Sequence, residues 1–543
     1  MDNKYSQIIF PKGRAKTSFV LMVVLFFLTL TIHAQEKKAI TGTVLDNTGM
    51  VLAGATIIES QTNNGTTTDF DGKFEIQVSV GSSIEISYIG FTTEIIQINA
   101  ATTSPLKITL KDDMYALDAV EIVAIGYGTM RKSDLTGAIS SISSEDLVKG
   151  TVTSTEQVLQ GKIAGLVVTQ DTGDPSSGSS LRLRGGTSLT ASNNPLIVVD
   201  GIPGVDINVV QPSDIKSIDI LKDASATAIY GSRGANGVII ITTKSKKNGL
   251  SFNYNGFTGV SYASNHLDML SANQWRSYVR DNGLTDAIDF GGNTNWQKEL
   301  ERTTALTQSH TINMSSGNEN GGLRASVSYL KNEGTIKTTQ LERLSASLNT
   351  YQYILDKAIK FDAGLFANID KWHPLDYRIF ERSFNLNPTI PVYDTNGEFT
   401  LVGGTLYENP VEILTNRNAD NKQNRLLGYF KTEANFLNDF QAVLNLSLEH
   451  NASTSNTYKP TYAVLEGRSE NGYGQKTYSE YTTMQVEAYV NYTKSLGKNN
   501  VNAMIGYSHL DNSYEGFGAQ RSGFVTDLFE YNNLAAGQDY RLG

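Results

Sequence analysis

Ile359-Lys360-Phe361-Asp362-Ala363-Gly364-Leu365-Phe366-Ala367-Asn368-Ile369 alternates apolar and polar side chains. Successive side chains of an extended chain point to opposite sides, so Ile359, Phe361, Ala363, Leu365, Ala367 and Ile369 share one face. Lys360, Asp362, Gly364 and Asn368 share the other. Leu426, Gly428, Phe430, Thr432, Ala434 and Phe436 repeat the pattern. So do Ala442, Leu444, Leu446 and Leu448 opposite Asn445, Ser447 and Glu449, and Met484, Val486, Ala488, Val490 and Tyr492 opposite Gln485, Glu487 and Asn491. Further runs lie near 250–263, 307–316, 323–332, 343–353 and 500–510. Many run to about ten residues, the length a tilted strand needs to cross a bilayer.

Alternation alone fits two architectures. In a soluble sandwich the apolar faces meet each other; in a membrane barrel they meet hydrocarbon and the polar faces line a wet interior. Strand length favours the barrel, as do Tyr351, Tyr353, Tyr429, Tyr489 and Tyr507 near strand ends, where an aromatic girdle would stand. Long polar stretches near 371–424 and 452–482 suit external loops, against short turns at Asn438-Asp439 and Gly497–Asn500. Mean hydropathy is −0.25 with 39% hydrophobic residues, too polar for a bundle of spanning helices but not for strands apolar at every second position.

Export is expected. Lys12, Arg14 and Lys16 precede the apolar run Phe19–Leu30, and a small-residue exit follows at Ala34, so residues 1–34 read as a signal peptide. The 543 residues allow roughly three or four domains. With no cysteine, a disulfide scaffold, a thiolate zinc site and a Cys nucleophile are excluded for this sequence. A net charge of −10, with no basic stripe, argues against a nucleic-acid partner.

Residues 35–112 alternate in short strands. Asp71-Gly72 within Thr66–Phe74 is a hairpin signal. Asp69 and Asp71 suggest a calcium loop only faintly, since the closing position is Val80, and the turn reading is preferred. This segment resembles the carboxypeptidase-regulatory-like domain, a β-sandwich without catalytic machinery. Residues 113–135 are a linker carrying the β-branched run Asp118-Ala119-Val120-Glu121-Ile122-Val123-Ala124, which either pairs with a sheet edge on another protein or opens the next domain. Residues 136–245 read as an α/β domain, with strands at 136–142, 166–170, 195–200, 215–222 and 237–243 and short helices near 156–162 and 224–230.

Two stretches, DAVEIVAIGYGTMRKSDLTGAISSI at 118–142 and DIKSIDILKDASATAIYGSRGANGVIIITTK at 214–244, resemble TonB-linked outer-membrane transporters of the SusC/RagA type. The resemblance implies a mostly β chain: a regulatory-like β-sandwich, an α/β plug at 136–245 and an incomplete transmembrane antiparallel β-barrel at 246–543, the family barrel having 22 strands. It implies import of glycan or peptide oligomers across the outer membrane of a Gram-negative bacterium, with the N-terminal domain and plug on the periplasmic side. Implied partners are TonB of the inner-membrane energising complex, a SusD-like surface lipoprotein, the oligomer itself and outer-membrane lipid. Asp118–Ala124 stands where the family places its TonB box, held extended by Gly126 and Gly128. Gly231, Gly234 and Gly237 form a plug signature serving tight turns and packing on the barrel wall. Arg182, Arg184 and Arg233 are assigned to plug–barrel contact. Trp372, Tyr377, Tyr407 and Tyr473 are candidates for stacking on sugar or peptide. A full barrel needs more chain than follows the plug here, and an incomplete one exposes two strand edges in lipid, so this length alone is not expected to form a working pore.

Enzymatic chemistry finds no foothold. The six histidines are scattered, there is no Walker A loop, and Ser213-Asp214-Ile215-Lys216 lacks the companions of an acyl-transfer motif. No metal or cofactor is expected. A siderophore receptor, a passive porin and a surface adhesion protein remain as alternatives.

Overall fold

The computed structural model describes residues 37–540 apart from short internal stretches, the longest being 112–121, 132–138 and 186–191. The signal-peptide expectation lies outside the described residues. No described helix is long and apolar enough to cross a membrane.

The chain divides near residue 121 into two units. In the first, a three-stranded sheet (73–79, 37–45, 106–109) and a four-stranded sheet (65–67, 56–59, 83–87, 94–97) form a sandwich. Period-two alternation does the work: Phe74, Ile76 and Val78 of one strand and Ile84 and Ile86 of another point into a core shared with Ile40, Val44 and Ile57. At the hairpin, Asp69 Oδ1 accepts from the Asp71 and Lys73 amides at 2.9 and 2.8 Å. Asp69 is thus occupied as a turn residue.

In the second unit the plug is built on a five-stranded mixed sheet in the order 139–143, 215–221, 238–243, 196–199, 202–203. Ile215, Ile218, Ile220, Ile239 and Ile241 are buried in its core. Between the strands at 196–203 and 215–221 the chain makes two single 3₁₀ turns, Ile207–Val209 and Pro212–Asp214. Asp206 caps the first by accepting from the Asn208 amide, and Pro212 at the start of the second needs no amide partner.

Ten antiparallel strands follow in sequence order within one sheet. They are β1 (Gly249–Ser261), β2 (Ala305–Asn318), β3 (Gly321–Glu333), β4 (Gln340–Ile354), β5 (Ile359–His373), β6 (Asn418–Phe436), β7 (Phe440–Lys459), β8 (Tyr473–Leu496), β9 (Asn499–Phe524) and β10 (Gly537–Tyr540). The nine periodic runs all become strands, and the short β10 joins them. Strands run longer than a bilayer crossing needs, β8 reaching 24 residues and β9 26. The stretch 452–482, expected as a loop, is therefore mostly strand: β7 and β8 pair from Phe440↔Tyr492 through to Lys459↔Tyr473. Polar side chains suit a ladder that stands in water, so polarity there did not mean irregular backbone.

Burial on this sheet is the inverse of a soluble protein's. Leu365 is 46% exposed while Asn368, on the opposite face of the same strand, is 1%. Ile312, Val327, Leu344 and Phe430 are likewise exposed, and Asn313, Ser326, Ser345 and Gln485 buried. A barrel wall has this pattern, its apolar face turned to lipid and its polar face packed inward. Some inward side chains are apolar instead, among them Leu330, Leu341, Val443 and Tyr489, and three more reach the plug. Phe366, Leu427 and Tyr429 join the plug's own core cluster, so the wall completes the hydrophobic interior of the domain it encloses.

Short turns (319–320, 355–358, 437–439, 497–498) join the strands at one end and longer connections at the other. At the long-loop end, helices Ala272–Asp281, Trp296–Leu300, Arg378–Asn385 and Pro410–Asn416 gather. Trp296, Leu300, Ile379, Ile390 and Ile413 bury a separate small core there. This cap fixes residues 374–403 and 408–417 of the long connection in a defined shape.

Candidate functional site

The lumen-facing side of the wall grips the plug through charges. Arg324 on β3 stands 2.8 Å from Asp214, whose other carboxylate oxygen accepts from Ser347 on β4 at 3.0 Å. Arg343 on β4 makes a two-pronged contact with Asp370 on β5 at 2.8 and 2.9 Å. Arg425 on β6 reaches Asp370 at 2.6 Å and Asp206 of the plug at 2.9 Å. Asn368 donates to the Asn208 carbonyl at 2.6 Å, and Gln211 to the Ser345 hydroxyl at 2.8 Å. Every one of these plug residues lies in 206–214, the double 3₁₀ turn. Strand register makes this possible: Arg343↔Asp370, Ser345↔Asn368 and Ser347↔Phe366 are successive lumen-facing pairs of β4 and β5.

The expected polarity was the reverse. Arg184 pairs inside the plug, with Asp223 at 2.8 Å and the Lys222 carbonyl at 3.1 Å. Arg182 and Arg233 are exposed, and among the described residues neither has a recorded partner on the barrel. The barrel supplies the arginines and the plug the carboxylates. The sequence held part of a signal for this: Arg324, Arg343 and Arg425 fall on the inward side of their strands, where an ionised group needs a counter-charge, but it does not say which plug residue answers each.

The plug glycines also serve the plug itself rather than the wall. A Cβ on Gly237, at φ +90°, would lie 2.2 Å from Leu183 Cδ2, and one on Gly234 2.8 Å from the Thr227 carbonyl oxygen. Both close approaches are to plug atoms.

Of the partner-binding run, Asp118–Glu121 lie outside the described residues, as does Gly126. Ile122–Ile125 pairs with Gly128–Arg131 as a two-stranded hairpin, so Ile122, Val123 and Ala124 are not a free extended strand. A lone two-stranded ribbon still offers two unpaired edges.

Two cavities lie between plug and wall. One, near the long-loop end, measures about 350 Å³ and is lined by Trp372, Asn208, Arg343, Asp370, Gln423 and Arg425 together with hydroxyls of Thr151, Ser154, Ser176 and Thr307. The other, toward the short-turn end, measures about 720 Å³ and includes Asp200, Thr243, Arg324, Asn349, Tyr351, Asp362 and Tyr429. Asp200 accepts from the Thr243 amide at 2.9 Å and hydroxyl at 2.8 Å. Burial pushes its carboxyl up to about 6; those two hydrogen bonds oppose the rise and Asp362 adds to it.

Among the three aromatic candidates that are described, only Trp372 lines the first cavity. Its indole N–H points to the Asn421 amide oxygen at 3.2 Å once that amide is turned to satisfy its neighbours. Tyr377 instead donates to Thr172 of the plug at 3.2 Å, and Tyr473 to Gln475 and Gln520 at 3.1 and 3.0 Å. Tyr407 lies outside the described residues. Among the described residues no cluster of His, Asp and Glu has the shape of a metal site.

Residues 131–238 match the family model of the TonB-dependent receptor plug domain, and residues 40–122 that of the CarboxypepD_reg-like domain. The TonB-dependent receptor SusC of Bacteroides thetaiotaomicron is 33% identical over 91% of this chain and 52% of its own length. TonB-dependent receptor P3 of Formosa agariphila is 32% identical over 97% of this chain and 53% of its own. The RagAB peptide importer in its open-open state superposes with a TM-score of 0.66 at 22% identity, over 78% of this chain and 52% of that one, a likeness of fold. The chain spans about half the length of the curated relatives it matches. These relatives are receptors and importers rather than enzymes. Regulatory-like module, plug and lumen-facing strands thus occur in one order on one chain, which belongs to the SusC/RagA type of TonB-dependent receptor.

Proposed function

We propose that this chain forms the plug and part of the barrel of an energy-coupled importer of oligomeric nutrients in the outer membrane of a Gram-negative bacterium. The observation that carries the reading is the seated plug: its segment 206–214 is held to the wall by the buried Arg324–Asp214 ion pair and by the partly exposed Arg425–Asp206 pair. A lumen closed this firmly is unsuited to a passive porin, and opening it takes work that the outer membrane, without ATP or an ion gradient, must receive from the periplasm. The short-turn end then faces the periplasm and the long loops face outward. TonB pairs with the run Asp118–Ala124 by strand addition, and a SusD-like lipoprotein covers the long-loop end.

Cargo meets the cavity at the long-loop end first. Its charged groups neutralise one another: Arg343 and Arg425 are answered by Asp370 and Asp206, and Glu333 accepts from the Leu306 amide beside Lys331. What remains for a ligand is hydroxyl, amide and one indole face, a lining that suits an uncharged oligosaccharide better than a charged peptide.

Deleting residues 118–124 from the complete receptor should abolish uptake of such an oligosaccharide while leaving its binding at the cell surface intact. Uptake that survives the deletion, or survives collapse of the proton motive force, would refute the reading. Trp372→Ala should weaken binding about three- to tenfold, the worth of one stacking contact.

A further inference from the structure

The two cavities lie along the same strip of wall, and what separates them is specific. On β4 and β5 the first cavity takes in Arg343, Asp370 and Trp372, and the second Asn349, Tyr351 and Asp362. Four lumen-facing residues between these groups, Ser345, Ser347, Phe366 and Asn368, line neither. All four are covered by the plug: Ser345 accepts from Gln211, Ser347 donates to Asp214, Asn368 donates to the Asn208 carbonyl, and Phe366 sits in the plug core. Gln211, Asp214 and Asn208 belong to one nine-residue segment, Asp206–Asp214, which carries no sheet strand and is tied to the rest of the plug through its ends, through Ile207, Val209 and Val210 in the plug core, and through the bonds from Thr155 to the Val210 carbonyl and from Asn208 to Glu156.

We propose that the two cavities are the outer and inner chambers of a single transit path along β4–β6, and that segment 206–214 is its gate, swinging off the wall while the plug sheet stays folded. This rests on the import reading above. Its chemistry follows from the contacts: each rung is a side-chain bond to a wall residue, so the segment can exchange those bonds for water or for cargo hydroxyls with no strand pairing broken, and drawing Ile207, Val209 and Val210 out of the plug core is the work that the periplasmic pull supplies. The inner chamber offers such cargo the rings of Tyr351, Tyr353, Tyr429 and Tyr489, so the same neutral glycan that meets Trp372 outside finds aromatic surface inside.

The test uses the absence of native cysteine in this sequence. In the complete receptor, Asp214→Cys with Ser347→Cys is closed by oxidation or by a short dithiol-reactive bridge, and Gln211→Cys with Ser345→Cys serves as a second staple should the first variant fail to assemble. The expected result is loss of uptake when stapled, at least tenfold, with surface binding retained and uptake restored on reduction or in the unbridged form. In parallel, single cysteines report opening during energised uptake: Ser347→Cys should become reactive to a periplasmic thiol reagent, while Ile241→Cys in the plug core stays protected. Uptake that continues with the staple closed overturns the proposal, and so does labelling of Ile241→Cys as fast as of Ser347→Cys, which would mean that the whole plug unfolds. Failure of the import reading is distinguishable, because uptake by the unstapled receptor would then ignore the proton motive force.

Discussion

Replacing Arg324 by Met should loosen the plug more than any loss of packing can explain. Arg324 and Asp214 have side chains 9% and 2% exposed, and their charges meet at 2.8 Å. Methionine keeps the stem's volume but removes the counter-charge, leaving Asp214 buried with the Ser347 hydroxyl. Breaking such a pair by deleting one partner costs about 3–5 kcal/mol, mostly the penalty of the stranded ion. At about 1.4 kcal/mol per tenfold change, detachment of segment 206–214 becomes roughly two to three orders of magnitude more frequent. Hydrogen exchange of the backbone amides from 208 to 214, measured in the complete receptor in detergent, should accelerate by that factor, while amides of the sandwich core do not change. Adding Asp214→Asn should recover much of the loss, because a neutral amide tolerates the site. The reasoning is refuted if Arg324→Met costs under about 1 kcal/mol, or if the two substitutions simply add, since independent sites agree within about 0.5 kcal/mol.

Asp200 has its folded pKa at about 6, above the ordinary 3.8, so its ionisation opposes folding. Stability at the plug should therefore be highest below about pH 4, fall between pH 4 and 6 and level off above. Asp200→Asn should flatten that profile and raise stability at pH 7 by about 1–3 kcal/mol, read from denaturant midpoints across pH. Glu59 in the sandwich behaves oppositely. Burial alone would raise it, but hydrogen bonds from Asn64, the Ser79 amide and Ser82 hold it down to about 2. Its stabilisation is present above about pH 4.5 and disappears as pH falls toward 2, and Glu59→Gln should remove about 2–3 kcal/mol at pH 7, seen as faster exchange at Ser79 and its neighbours. Gly237→Ala should cost about 2–5 kcal/mol, combining a left-handed backbone with a methyl forced against Leu183, and should lower the amount of receptor reaching the membrane.

The strands were legible because their signal is local and periodic. Leu365 and Asn368 declare opposite faces by position alone, and the resemblance of 214–244 to a known plug supplied the domain that the inward face packs against. Three things were not legible. The direction of the ion pairs depends on which strand position meets which plug turn, a contact between residues such as Asp214 and Arg324 that are 110 apart in sequence. The extended reach of β7 and β8 was hidden because their polar ends look like loop. Phe366 falls among polar neighbours on the inward side, and only the plug core beside it explains an aromatic ring there.

That ring, with Leu427 and Tyr429, has a consequence for biogenesis. A globule whose oily centre borrows three side chains from its container cannot finish setting before the container closes around it. The plug should remain pliable through secretion and acquire its final rigidity only as the surrounding wall is laid down, so maturation of stopper and vessel is a single cooperative event.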